Sequence, residues 1–401
     1  MTGHEGGVSV RWLTAAAWAS LIVFAATSTV VATALPQIGA ELDLSLALRG
    51  SLSPIRSMLL GVFALVVGYT ADRTGKKWLL GTAMFVIALA LLSHLAVGTY
   101  AGLVVATLVL GAGLGGQEAL ASPLVAELHP DDVELHLPLL HAFFPLGIVI
   151  FSVLCGLSLD AGVPWRVLFA SASVPAALVG IMFLLGRYGE EHHQAARRRV
   201  LSVPELLANP AFWLLGAAMA LTAGAEGVLL LWTPSFVQDE YGSSALVAAS
   251  GLTCFSGAMA FGRFAGGFVA RRVPIHKLLV GLSVTGIVVT VALVVFRSVW
   301  ASFTAFGLSG LLIACFWPGI LSMATRRIAA GSAVLLAMLS ATGILGYGAM
   351  PWIVGVIADH VGLRNALWAL PVAMVAATAA LLGVGRQQGR TASADEAKPA
   401  C

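Results

Sequence analysis

Two carboxyl groups stand inside apolar runs of this chain, where water is scarce. Glu118 follows Gly113, Gly115, Gly116 and Gln117, and Glu226 sits between Gly224 and Gly227. A carboxylate deep in an apolar medium costs several kcal/mol if it is ionised and unpaired. Such a group can exist protonated, load a proton from one side and release it on the other. The bland reading is a protonated carboxyl bonded to a backbone carbonyl. The flanking glycines leave room for a neighbouring backbone or for a solute. Near them in type are His141, a proton relay or an interhelical hydrogen bond, and Arg56, either a cation snorkelling to an interface or an anchor for a carboxylate. Gln117, Trp232, Trp317 before Pro318, and Tyr347 between Gly346 and Gly348 are candidate solute contacts, or packing.

The elements that hold these residues are membrane spans. The chain has 401 residues, 59% hydrophobic and 10% charged, against roughly 25% charged in a soluble protein. A spanning helix needs about 20 apolar residues. Runs of that kind occupy 12–35, 51–70, 78–98, 101–126, 137–159, 165–186, 211–236, 244–270, 276–296, 299–325, 332–357 and 364–385. Glu118 and Glu226 then fall about halfway through spans 4 and 7, His141 one turn into span 5, and Arg56 a turn inside the outer end of span 2. The first run is too long for a signal-peptide core, and Pro36 reads as its end. The 44 glycines suit helices packed closely in lipid. Cys155, Cys254 and Cys315 lie inside apolar runs and Cys401 ends the chain, with no metal-ligand spacing among them.

Residues 1–11 form an N-terminal tail, 12–186 one six-helix half, 187–210 a linker, 211–385 the second half and 386–401 a polar, irregular tail. Pro204 and Pro210 bracket a linker segment lying along the membrane surface. Lys and Arg fix orientation. With both termini inside, 17 of the 22 lie on the inner side, Arg263 among them, and five on the outer side, Arg56 among them. The small net charge of +3 reflects these loops and argues against nucleic-acid binding.

The halves echo each other. Gly68-Tyr69-Thr70-Ala71-Asp72-Arg73-Thr74-Gly75-Lys76-Lys77 reads as a short basic loop between spans 2 and 3, and Gly267 to Pro274 repeats its frame between spans 8 and 9. Asp160, Trp165 and Arg166 lie between spans 5 and 6; Asp359, Arg364 and Trp368 lie between spans 11 and 12. Duplicated bundles of this kind move solutes by alternating access.

On these residues the chain resembles the major facilitator superfamily. Gly68, Asp72, Arg73, Gly75 and Lys76 fill the positions of its loop motif, which implies an all-α membrane protein of twelve helices in two pseudo-symmetric bundles. The resemblance also implies that Asp72 acts as a conformational latch against a neighbouring helix end, with Arg73 and Lys76 meeting head groups or acidic loop partners. Gly113 to Leu128, Leu140 to Gly147, Gly224 to Trp232 and Phe255 to Gly267 are similar to helices 4, 5, 7 and 8 of the fucose–proton symporter group, with Glu118, Pro123, Glu226 and Trp232 in register. Span 1 departs from that group by lacking a carboxylate between Arg11 and Glu41; Thr27 stands where drug-exporting relatives often carry aspartate. Amide positions of the group's fifth helix appear as Pro138, His141 and Phe144.

The expected function is proton-coupled uptake of a sugar-like or small organic-acid solute by a monomer in a bacterial inner membrane. Proton-driven export of an amphipathic organic compound or drug is the rival. A sensor or enzyme on the scaffold would need a catalytic constellation that the sequence does not display. No phosphate-binding loop with Lys-Ser/Thr occurs, and no cofactor is implied. The partners are the solute, protons and the bilayer.

Overall fold

A computed structural model of the chain describes residues 9–188, 203–328 and 333–396; within these, the side chains of residues 72, 73, 134, 203, 267, 333 and 386–396 are not described. Among the described residues, twelve helices are long and apolar enough to cross a membrane: Val10–Glu41, Leu46–Ala71, Lys76–Ala96, Tyr100–Leu128, Leu135–Asp160, Trp165–Leu185, Pro210–Tyr241, Ala245–Ala270, Ile275–Val295, Val299–Arg327, Val334–Val361 and Leu363–Gly385. They are spans 1 to 12 below. The architecture is all-α, and among the described residues there is no strand.

Several sequence expectations need correction. Pro36 lies inside the first helix, which continues to Glu41. A proline in a membrane helix is tolerated where neighbouring helices re-satisfy the freed carbonyl. Residues 68–74 are not loop: the second helix runs to Thr74 and only Gly75, at φ +85°, breaks it before Lys76. That left-handed conformation is one a glycine adopts without strain. The polar tail stays helical to Glu396 as an extension of the last span. In the linker, Val203–Leu207 forms a short helix that contains Pro204 and ends before Pro210.

The repeat seen in sequence has a physical counterpart in the outer loops. Arg166, at the start of span 6, pairs with Glu41 at the end of span 1 (2.5 Å), and Arg364, at the start of span 12, pairs with Glu240 at the end of span 7 (2.8 Å). Each arginine also lies over an aromatic ring, Trp165 at 4.3 Å and Phe236 at 5.0 Å. The first and last helices of each half are thus tied at equivalent places, on the face opposite the termini.

The same face carries two crossed contacts between halves. Asp359, in the last turn of span 11, accepts hydrogen bonds from the Leu46 and Ala47 amides at the start of span 2 (2.7 and 3.0 Å). Asp160, ending span 5, accepts from Ala245 and Leu246 at the start of span 8 (2.8 and 3.2 Å). Helix N-termini present unpaired amides and partial positive charge, so a carboxylate is a favourable partner there. Ser45 and Ser244 cap the same two helices from within, accepting from Leu48 and Val247.

Glycine permits the tightest crossings. A Cβ on Gly346 would stand 1.9 Å from the Ala220 carbonyl oxygen, and one on Gly115 2.2 Å from the Leu60 oxygen. These glycines, with Gly113, Gly116 and Gly224, bring helix backbones or packed side chains together rather than opening space for a solute. We expect Gly346→Ala to force spans 7 and 11 apart and to cost about 1–3 kcal/mol by overpacking. A lowered melting temperature of the detergent-solubilised protein checks this; an unchanged one means that span 11 shifts freely.

Candidate functional site

A charge census picks out the centre of the bundle. Among the described residues, the only Asp, Glu, Lys or Arg lying beyond the terminal turns of a span are Arg56, Glu118, Glu226 and Arg263. Arg56 belongs to span 2, Glu118 to span 4, Glu226 to span 7 and Arg263 to span 8. Two cations and two carboxyls therefore share the bilayer core, a pair from each half.

Arg56 is buried (8% exposed), not snorkelling. Its helix begins at Leu46, so it stands ten residues inside span 2, about 15 Å along the axis at 1.5 Å per residue. Its Nη1 donates to Ser28 Oγ at 3.2 Å, and the guanidinium also meets the Tyr347 hydroxyl of span 11. Among the described residues no carboxylate pairs with it. Arg56 lines a narrow cavity of about 20 Å³ together with Ser28, Ser53, Thr107, Gly227 and Tyr347 and the aliphatic side chains of Val31, Leu52, Leu110, Leu230 and Leu231. That volume holds about one water. The walls come from spans 1, 2, 4, 7 and 11, so both halves must move for a solute to fit.

Arg263 was assigned by sequence to the inner loops as a topology determinant. It lies inside span 8, seven residues before Ala270. Its Nη1 donates to the His141 carbonyl at 2.8 Å, a bond from the second half to the first. Its charge is also felt by Glu226 and Tyr347. The glycine-rich run Gly262 to Gly267 and the nearby Arg271-Arg272 turn hid it among basic loop residues. Removing Arg56 from the outer set and Arg263 from the inner set leaves the excess of inner charges unchanged.

The remaining candidates divide. Glu226 is buried (8% exposed) and faces Arg263 electrostatically. Glu118, on span 4, has no hydrogen bond or ion pair among the described residues. One turn further along that face, Ser122 bonds His141 Nε2 at 3.2 Å. Glu118, Ser122, His141 and Arg263 thus form a polar track from mid-span toward the face that carries the termini. Gln117 is fully buried and its Nε2 donates to Ser20 Oγ at 3.0 Å, while its carbonyl oxygen has no partner.

Trp232 and Trp317 lie away from the cavity. The Trp232 indole, 1% exposed, donates to the Pro351 carbonyl at 2.9 Å and fills the crossing of spans 2, 7 and 11 beside Gly50 and Gly355. Trp317 packs against the Gly343 backbone of span 11. Tyr347 is the member of the aromatic set that reaches the cavity.

At the motif between spans 2 and 3, Lys76 forms an ion pair with Glu127 near the end of span 4. Gly68 lies on a helix face with open space beside it. Asp72 and Arg73 are helical in backbone, and the latch assigned to their side chains lies outside the described residues.

The chain is similar to known proteins over most of its length. A family model described as Major Facilitator Superfamily matches residues 17–334. Myo-inositol transporter 2 of Cryptococcus neoformans var. grubii is 31% identical over 163 residues, covering 39% of this chain. That stretch spans only 29% of the relative's length. A bacterial homolog of the human lysosomal transporter Spinster, solved inward-facing and occupied, superposes with a TM-score of 0.79 at 16% identity, over 94% of this chain and 96% of that one. The nucleoside transporter NupG gives a TM-score of 0.78 at 12% identity, over 94% and 99%. At these identities the two structures establish the fold alone.

Proposed function

Since the chain belongs to the Major Facilitator Superfamily, and is thus a secondary transporter, we propose that it takes up a small hydrophilic solute with protons by alternating access, as a monomer in a bacterial inner membrane with both termini cytoplasmic. The observation that carries this reading is the buried charge contributed by both halves: Arg56 and Tyr347 on a cavity with hydroxyl and aliphatic walls, and Arg263 with Glu226 within its electrostatic reach. Ionisable groups at mid-membrane mark substrate and proton pathways. An exporter of amphipathic compounds would favour an apolar, aromatic cavity instead. The activity of one similar protein, a myo-inositol transporter, fits a polar, hydroxylated solute.

In this reading Arg56 and Tyr347 contact the solute and Gln117 supports span 4 near it. Glu118 carries the proton, His141 and Ser122 connect it to the cytoplasm, and Glu226 balances Arg263. A carboxyl without a cation neighbour is the one whose protonation changes the local charge most freely. Uptake into proteoliposomes tests the function. Accumulation of a hydrophilic solute on imposing an acid outside is the expected result, and energy-dependent expulsion of amphipathic dyes with no such uptake would reject it.

Asp72 is proposed to bias the two access states rather than to touch solute. Asp72→Asn should then slow transport at least about tenfold while leaving solute affinity within about twofold, since it shifts a conformational equilibrium. Thermal-shift titration beside initial uptake rates checks this. Parallel losses in both would place Asp72 in folding or binding.

A further inference from the structure

The central charges can be counted, and the count names the solute class. This inference rests on the proton-coupled uptake reading and makes it specific. Arg56 and Arg263 contribute two positive charges that no ordinary pH removes. Glu226, within electrostatic reach of Arg263, is counted as its counter-charge. Glu118 contributes a second negative charge when ionised and none when protonated. His141 counts as neutral imidazole, because the Arg263 guanidinium is bound to its own carbonyl. Facing Glu118 is His141, through Ser122, from span 5; among the described residues span 2 adds only Arg56 beyond its terminal turns, not in contact with Glu118, and spans 1 and 3 place no charge there.

With Glu118 ionised, the core sums to zero. With Glu118 protonated, it carries one positive charge, and that charge has an address. Arg263 has a carboxylate near it, whereas Arg56 faces the hydroxyls of Ser28 and Tyr347 and no carboxylate. A buried cation with neutral partners is a costly state that an anion relieves. We propose that the transported species is a hydroxylated monocarboxylate whose carboxylate binds Arg56, and that it moves together with one proton on Glu118, electroneutrally.

Two states of the core are then neutral: unloaded with Glu118 ionised, and loaded with one anion and one proton. The two half-loaded states carry a net charge through a low-dielectric centre, which is costly. Coupling follows from that penalty without a dedicated gate. Ser53 and Thr107 on the cavity wall supply hydroxyl partners for the rest of the solute. Guanidinium geometry suits a carboxylate because it offers two parallel N–H donors.

The test uses purified full-length protein in proteoliposomes with a fixed panel: gluconate, glucuronate and lactate as monoanions, and myo-inositol and glucose as neutral counterparts. Wild-type protein should be thermally stabilised by at least one hydroxylated monoanion and by neither neutral compound. An acid-outside pH gradient should drive uptake, and a potassium–valinomycin potential of either sign should change its initial rate less than about twofold. Arg56→Gln should lower affinity for the anion on the order of 100-fold, and Arg56→Lys, which keeps the charge and loses the fork, should fall between. A potential-driven uptake of the anion overturns the stoichiometry even if neither variant folds. Stabilisation by myo-inositol or glucose with pH-driven uptake overturns the anion assignment while leaving proton-coupled uptake standing. Expulsion of amphipathic dyes with no response to the panel overturns both, and a folded protein that responds to none of the panel overturns the hydroxy-acid class.

Discussion

Proteoliposomes carrying Glu118→Gln should exchange internal for external solute at close to the wild-type rate and fail to accumulate it against a pH gradient. Glutamine mimics the protonated carboxyl in shape and charge. The loaded carrier keeps its balanced core and crosses freely, so counterflow persists. The unloaded carrier is left with an uncompensated charge near Arg56. At about 2.5–3.5 kcal/mol, that charge depresses the returning state on the order of 100-fold. Net uptake should fall by a similar factor while exchange changes less than about threefold. Undiminished gradient-driven accumulation would move the proton site to His141, whose imidazole is bound to Ser122 one turn from Glu118. Glu226→Gln provides the contrast. It strips Arg263 of its nearby carboxylate, so exchange and net uptake should drop together.

The spans were readable because length and apolarity are enough to define a helix that must satisfy its own backbone in lipid. Glu118 and Glu226 were readable for the same reason: a carboxyl amid twenty apolar residues has no innocent solvent-facing option. Arg263 escaped because the seven residues after it are small or apolar and the next two are arginines, so the end of span 8 was blurred. Arg56 was placed at the outer edge because Arg49 and the Ser51–Pro54 stretch look like loop. In the fold, Ser45 and Asp359 cap a helix that starts earlier, at Leu46, and drop Arg56 to mid-span. Trp232 illustrates a different limit. Its register on span 7 was legible, but whether the indole met a cavity or the Pro351 carbonyl depended on span 11, which sequence alone does not dock.

Removing the two crossed aspartates should open the face opposite the termini. Asp160 and Asp359 each bind two backbone amides of the other half. Both contacts must break when that face parts, because the partners belong to opposite bundles. Losing a helix cap costs about 0.5–2 kcal/mol, so each substitution should shift the balance between access states by about tenfold. Asp359 should matter more. It also interacts with Arg49 of span 2, which sits near Asp239 as well, whereas Asp160 has no comparable cation. The measurement is labelling of a Ser53→Cys reporter on the cavity wall by an impermeant maleimide added from that face. The background replaces Cys155, Cys254, Cys315 and Cys401 with serine. Labelling should rise in the order wild type, Asp160→Ala, Asp359→Ala and the double variant. Solute affinity should stay close to wild type, since neither aspartate reaches the cavity. Labelling that stays at the wild-type rate in the double variant would reduce these carboxylates to local caps, and the closure would then rest on the glycine crossings at Gly156 with Leu246 and Gly355 with Leu46.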